Sequence, residues 1–241
     1  MEKDMEQKNQ SPLAIPLAIV AAGLLVAIAI FFSGSKQPAA APSGQEEEVS
    51  QEKLDKMRPV DVKADHIQGN PNAPVKIVVY TDLECPFCKR FHIDALAQVK
   101  ENFVKSGKAA IVYRHFPLAQ LHSRAPKEAE AAECVYEQGG NEKFFAFVDE
   151  VFATSPMNNG LDPAKLPEIA KKVGVDEKVF SACLSSGKFA SKVTTDLNNA
   201  FETGGNGTPW SIVVNAKGDK IPVNGAQDYE YVSAVIEALS K

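Results

Sequence analysis

Lys76-Ile77-Val78-Val79-Tyr80-Thr81-Asp82-Leu83-Glu84-Cys85-Pro86-Phe87-Cys88-Lys89-Arg90-Phe91 is the stretch from which the fold of this chain is read. Its first six residues are apolar and rich in β-branched side chains, the pattern of a buried strand. From Pro86 the period changes, and Phe87, Phe91, Ala95, Val99 and Phe103 return at helical spacing. The sequence therefore predicts a helix beginning at Pro86, whose missing N–H has no partner to lose in a first turn. Cys85 falls at the mouth of that helix, where unpartnered N–H groups and the macrodipole favour negative charge. A thiolate is such a charge, and it is the nucleophile of disulfide exchange. Cys88, one turn further on, is placed to resolve a mixed disulfide formed on Cys85.

Two other readings fit a Cys-x-x-Cys spacing. With His92 on the same helical face, Cys85 and Cys88 could ligate zinc or copper, as a metal chaperone would. Pro-Phe between the cysteines and the lack of a second close Cys/His pair weigh against it. A purely structural disulfide across so short a loop would remove little chain entropy.

Upstream, residues 13–32 contain no polar side chain. That length matches the roughly 20 residues that cross a bilayer core and exceeds the ~7–15 of a signal-peptide core. The sequence predicts a transmembrane anchor at 13–32, after a short cytoplasmic tail at 1–12. Small residues at 33–35 and 39–41 leave cleavage as the alternative. Lys3 and Lys8 precede the span and Lys36 follows it, which orients the N-terminus inside. Residues 33–58, running from Ala/Pro/Ser-rich into Gln45-Glu46-Glu47-Glu48, read as a flexible linker with a short helix near 51–57. A dithiol site with two further cysteines suits the periplasmic or extracytoplasmic side, where disulfides persist. The chain has a formal net charge of −5 and no basic stripe, so nucleic acid is not an expected partner.

Residues 59–241 have the length and apolar content of one domain. Residues 109–116 read as a second strand, and helices are expected over 123–138, 142–153, 163–173, 176–185 and 189–201. Strands return at 209–214 and 220–223 as a hairpin, and 229–239 closes the chain as a helix. Strand, helix, strand, a helical block at about 123–203, then hairpin and helix make an α/β sheet with a helical insertion.

At this point the chain resembles the DsbA-like thiol–disulfide oxidoreductases, which have a thioredoxin fold with an inserted helical domain. The likeness rests on residues 69–74, Gly-Asn-Pro-Asn-Ala-Pro, and on Asp82-Leu83-Glu84-Cys85-Pro86-Phe87-Cys88. Phe116-Pro117-Leu118, Ala131-Ala132-Glu133-Cys134 and Gly207-Thr208-Pro209 complete it. The resemblance implies that Cys85 and Cys88 are catalytic and that Pro209 is a cis proline facing them. It further implies that the Thr208 backbone pairs with an extended client segment. Trp210, next to Pro209, and Phe87 are expected to widen an apolar client-binding patch.

The resemblance also implies reduced or unfolded client proteins and a quinone-linked membrane reoxidant of the DsbB or vitamin K epoxide reductase type. Nothing in the sequence suggests a nicotinamide, flavin or metal cofactor. A reductase or isomerase of the same fold, kept reduced by a membrane electron donor, is the alternative. The sequence departs from the family pattern at Val79, where many members carry a buried carboxylate, leaving proton handling to Asp82, Glu84 or water. Pro-Phe replaces the Pro-His of the strongest oxidants, and Glu84 disfavours the thiolate beside it, so a moderate oxidant is expected. Cys134 and Cys183 lie on different predicted helices, and their compartment and even count predict a structural disulfide. Two separate buried thiols are the alternative.

Overall fold

Five strands form one mixed sheet in the order β1-β3-β2-β4-β5. They are β1 (His66–Gln68), β2 (Val75–Thr81), β3 (Ala109–His115), β4 (Trp210–Asn215) and β5 (Lys220–Asn224). The structure, a computed structural model, describes residues 49–241. The tail at 1–12, the expected anchor at 13–32 and most of the linker lie outside the described residues. Among the described residues, no helix is long and apolar enough to cross a membrane.

β2 lies at the centre, parallel to β3 from Val75↔Ala109 to Thr81↔His115 and antiparallel to β4. Its alternating side chains divide between two cores. Val75, Ile77 and Val79 join one cluster with Phe91, Val99, Val232 and Ile236. Val78 and Tyr80 join another with Val112, Phe116, Trp210 and Ile212. A central strand buried on both faces explains why this segment reads as an unbroken apolar run. β1 was not legible in the sequence, because three residues are too few to show alternation. It pairs antiparallel with β3 along the sheet edge.

The helices are α1 (Gln51–Leu54), α2 (Pro86–Ile93), α3 (Ala95–Val99), α4 (Ala125–Thr154), α5 (Lys165–Lys172), α6 (Glu177–Ser186), α7 (Ala190–Glu202) and α8 (Tyr229–Leu239). A π-helical turn, Lys100–Val104, continues α3. The helix expected to run unbroken from Pro86 is interrupted at Asp94 (φ −102°, ψ −79°), after which Ala95, Leu96 and Val99 are buried. Within α4, Gly140 (φ 61°, ψ −158°) leaves the helical region and separates the two spans expected at 123–138 and 142–153. That conformation is open to glycine and strained for other residues.

The domain begins earlier than expected. Leu54 and Met57 are buried in the core beside Ile212 and Ala200, and the Arg58 N–H donates to Asn199 Oδ1 at 3.2 Å. The packed unit therefore starts at Val49 rather than 59, and 49–58 belong to it and not to a linker.

The helical insertion has its own core, with Phe144, Phe147, Val148, Phe152, Leu166 and Phe180 among its buried side chains. Cys134 of α4 and Cys183 of α6 are joined by a disulfide with a Cα–Cα distance of 5.9 Å, closing a loop of sequence separation 49. By the chain-entropy argument such a loop contributes about 4 kcal/mol, less whatever structure the unfolded chain retains. Cys134→Ser/Cys183→Ser is expected to lower the unfolding free energy by about 2–4 kcal/mol in urea titrations, leaving the reactivity of Cys85 intact.

Candidate functional site

The loop from β2 to α2 brings Cys85 to the N-cap of α2 (φ −82°, ψ 121°), with Pro86 in the first turn. Cys85 and Cys88 are both free thiols and both buried. They belong to the same apolar cluster as Leu83, Tyr113 and the insertion core, so the dithiol sits where sheet and insertion meet. Facing it is the loop before β4, where the Thr208–Pro209 peptide is cis. The Cys85 sulfur lies 3.4 Å from the Thr208 carbonyl oxygen.

The two thiols differ sharply. A hydrogen bond from the Cys88 thiol, together with the Thr208 side chain and the backbone N–H groups of Cys88 and Phe87, outweighs burial and lowers the Cys85 pKa to about 6. Burial, then the hydrogen bond to Cys85 and its charge, push Cys88 well above the ordinary thiol value. One sulfur is thus an anion at neutral pH and the other a neutral donor to it. Alkylation of Cys85 by iodoacetamide is expected to reach half its plateau rate near pH 6, where a free thiol would do so near 8.5. A thiol whose folded pKa is depressed favours the folded reduced state above its unfolded value. That contribution is lost as pH falls through about 6.

Phe87 is 56 % exposed at the tip of the site, with the Arg90 guanidinium 5.3 Å from its ring centroid. Trp210 does not join it. Expected in the client-binding patch, it is 1 % exposed and donates its indole N–H to Thr203 Oγ1 at 3.0 Å. Its place at the start of β4 turns the ring toward the core shared with α7, so its role is packing. Beside the cis-proline loop, a groove of about 390 Å³ is lined by Leu118, Leu121, Phe201 and Asn206 among others.

Polar groups under the dithiol are held by the strand ends. Asp82 accepts from the Leu118 N–H at 2.8 Å and from His122 Nδ1 at 2.9 Å. Burial alone would lower the His122 pKa, but the hydrogen bond and charge of Asp82 more than offset it and leave it raised. At Val79, where a carboxylate was absent from the sequence, a cavity of about 10 Å³ bounded by Val79, Thr81, Cys88 and Tyr113 has room for one water molecule.

Metal ligation by Cys85, Cys88 and His92 is not what the geometry offers. His92 instead donates Nε2 to Asp149 at 2.6 Å. Among the described residues, the one group of three ligand-type side chains with converging atoms is His66, His115 and Glu133. Both rings donate from Nε2 to the same Glu133 oxygen, at 2.7 and 2.8 Å, and the Lys192 ammonium stands 3.2 Å from it. Burial would raise the Glu133 pKa, yet the His115 and His66 hydrogen bonds hold it well below the carboxylate range. These residues form a buried polar tie between β1, β3, α4 and α7. Sequence reasoning missed the tie because its members are 67 residues apart between His66 and Glu133.

Fold and site together define a thiol–disulfide oxidoreductase of DsbA-like thioredoxin architecture. The chain belongs to the thioredoxin family whose model, described as "Thioredoxin", matches residues 61–238. It superposes on DsbA2 of Pseudomonas aeruginosa with a TM-score of 0.63 at 28 % identity, covering 75 % of this chain and 97 % of that one. With alpha-DsbA1 of Wolbachia pipientis the TM-score is 0.65 at 27 % identity, covering 76 % and 94 %. A Na(+)/H(+) antiporter, NhaA 3 of Salinispora tropica, is 34 % identical over 171 residues, which is 71 % of this chain and 24 % of that protein. The chain thus spans about a quarter of the length of that curated relative.

Proposed function

We propose that this chain donates the Cys85–Cys88 disulfide to proteins folding outside the cytoplasm. The observation that carries this is the asymmetry of the pair, an anionic Cys85 hydrogen-bonded by a neutral, buried Cys88. Whatever stabilises the reduced pair makes its disulfide a better oxidant.

In the exchange, a client thiolate attacks Cys85 Sγ of the oxidised pair, forming an intermolecular S–S bond and breaking the Cys85–Cys88 bond. Cys88 leaves with the bonding electrons and takes up a proton. A second client thiolate then attacks the client sulfur of the mixed disulfide and releases Cys85 as a thiolate. The client loses two electrons and the enzyme gains them. Thr208, beside Cys85, offers backbone to an extended client segment, and Phe87 with the groove of Leu118, Leu121 and Phe201 offers apolar contact.

The internal Cys134–Cys183 disulfide supports an oxidising compartment. The apolar run at 13–32 supports tethering to the membrane, near a quinone-linked partner of the DsbB or vitamin K epoxide reductase type that reoxidises the pair. The test is reactivation of reduced, denatured ribonuclease by the oxidised full chain. Recovery of ribonuclease activity with loss of one enzyme disulfide per client disulfide is the expected result. No transfer to the client, with catalysed insulin reduction instead, would favour the reductase alternative.

A further inference from the structure

Glu84, which immediately precedes Cys85, and Glu128, on α4, are 0 % and 2 % exposed. Their carboxyls are in hydrogen-bond contact, a contact that exists only if one of them carries a proton. One oxygen of each, Glu84 Oε1 and Glu128 Oε2, receives no hydrogen bond from any surrounding donor. Two bare carboxylates cannot face each other in a buried site, because neither charge is solvated or paired.

Glu84 is also fixed in place. Its backbone carbonyl accepts from the Asn158 N–H at 2.8 Å, and its Oε2 accepts from the Asn159 N–H. Met157, Asn158 and Asn159 all have left-handed φ, at 68°, 53° and 64°. Such a run of non-glycine residues persists only where surrounding contacts hold it, and it gathers at functional sites. The groups around the pair are Asp82 from the same loop, Arg124 at the start of α4 and Tyr113 from β3, with Cys88 against Tyr113, His122 beyond Asp82 and Cys85 next to Glu84 in the chain.

We infer that Glu84 and Glu128 hold one proton between them and act as a single positioning unit for the adjoining Cys85, keeping one negative charge rather than two next to it in the fold. This rests on the exchange reading and deepens it. Reduction of the disulfide takes two electrons and one proton, which goes to Cys88, and creates a thiolate on Cys85. That new charge raises the pair's hold on its own proton. Burial and the facing Glu84 place the loss of the Glu128 proton at about 9. That value belongs to the protein with both thiols free, so just below it reduction takes up part of a second proton, on the carboxyl pair.

The experiment measures the equilibrium of the full chain with glutathione as a function of pH, corrected for glutathione's own titration, for wild type, Glu128→Gln and Glu84→Gln. One proton per two electrons changes the equilibrium constant about tenfold per pH unit, or ~30 mV. Wild type is expected to change more than tenfold per unit just below pH 9, with Glu128→Gln staying tenfold. Glu84→Gln, which removes the remaining charge, is expected to shift thiolate formation at Cys85 to lower pH and the equilibrium at least threefold toward oxidation of glutathione. Equal pH slopes in wild type and Glu128→Gln would overturn the inference.

Infrared difference spectra of the same proteins test the pair independently of exchange. A protonated-carboxyl band at neutral pH that vanishes in Glu128→Gln supports it, and no such band in wild type overturns it. If none of the three proteins exchanges with glutathione, the exchange reading falls, and the infrared band alone decides the pair.

Discussion

Cys85→Ser is expected to abolish disulfide transfer to reduced ribonuclease, with a fall of about a thousandfold or more to the uncatalysed rate. Among the described residues, Cys85 and Cys88 are the free thiols, Cys134 and Cys183 being bonded to each other. No other sulfur stands ready to take over at the mouth of α2. A serine hydroxyl there is no substitute, since it neither ionises near pH 6 nor forms an S–S bond. Cys88→Ser should fail differently. It cannot store a disulfide, yet it keeps a nucleophilic Cys85, and mixed disulfides formed on it lack an internal resolving thiol. Incubated with an oxidised client, it should accumulate a covalent adduct visible by mass spectrometry on Cys85. The Cys85→Ser protein should accumulate little, because Cys88 is buried and its pKa is raised.

The second large effect concerns stability. Arg114 of β3 is fully buried, and it donates Nε and Nη2 to the two oxygens of Asp65 at 2.8 and 2.9 Å. Its remaining donors reach Tyr80 Oη at 3.0 Å, Asn199 Oδ1 at 3.2 Å and the carbonyls of Arg58 and Pro59 at 3.1 and 3.2 Å. One guanidinium thus ties the segment before β1 and α7 to the sheet. Burial would raise the Asp65 pKa, and the Arg114 hydrogen bonds and charge overcome it. Arg114→Ala leaves Asp65 as an unpaired buried carboxylate and is expected to cost about 3–5 kcal/mol in urea unfolding. Arg114→Met with Asp65→Leu, which removes both charges, should recover much of that loss. Arg58→Ala should cost less than Arg114→Ala, because its buried partner Asp196 keeps the Lys192 ammonium at 3.5 Å and the His115 N–H at 3.3 Å.

Much of the site was legible because it lies on contiguous sequence. A β-branched run, a cysteine before a proline and an apolar helical period put Cys85 at a helix mouth without any tertiary information. The resemblance placed Pro209 opposite it. Tertiary packing supplied what local patterns could not. Trp210 read as a client contact because it follows Pro209, but strand register at the start of β4 decides which way its ring points. Residues 49–58 read as tether because their few apolar side chains stand among polar ones, and the core they join, with Ala200 and Ile212, is assembled from distant parts of the chain. Glu84 showed its charge in the sequence, whereas Glu128, which changes what that charge does, read as one of many acidic residues on a helix. His66, His115 and Glu133 were likewise scattered until β1 and β3 brought them together on α4.

The most direct test of the central claim is the reduction potential of Cys85–Cys88 in the full chain, equilibrated with glutathione buffers and read by thiol trapping. A value between the ≈ −120 mV of strong disulfide donors and the ≈ −180 mV of isomerases is the result this account predicts. A value near the ≈ −270 mV of thioredoxin would contradict it, making the anionic Cys85 the nucleophile of a reductant instead.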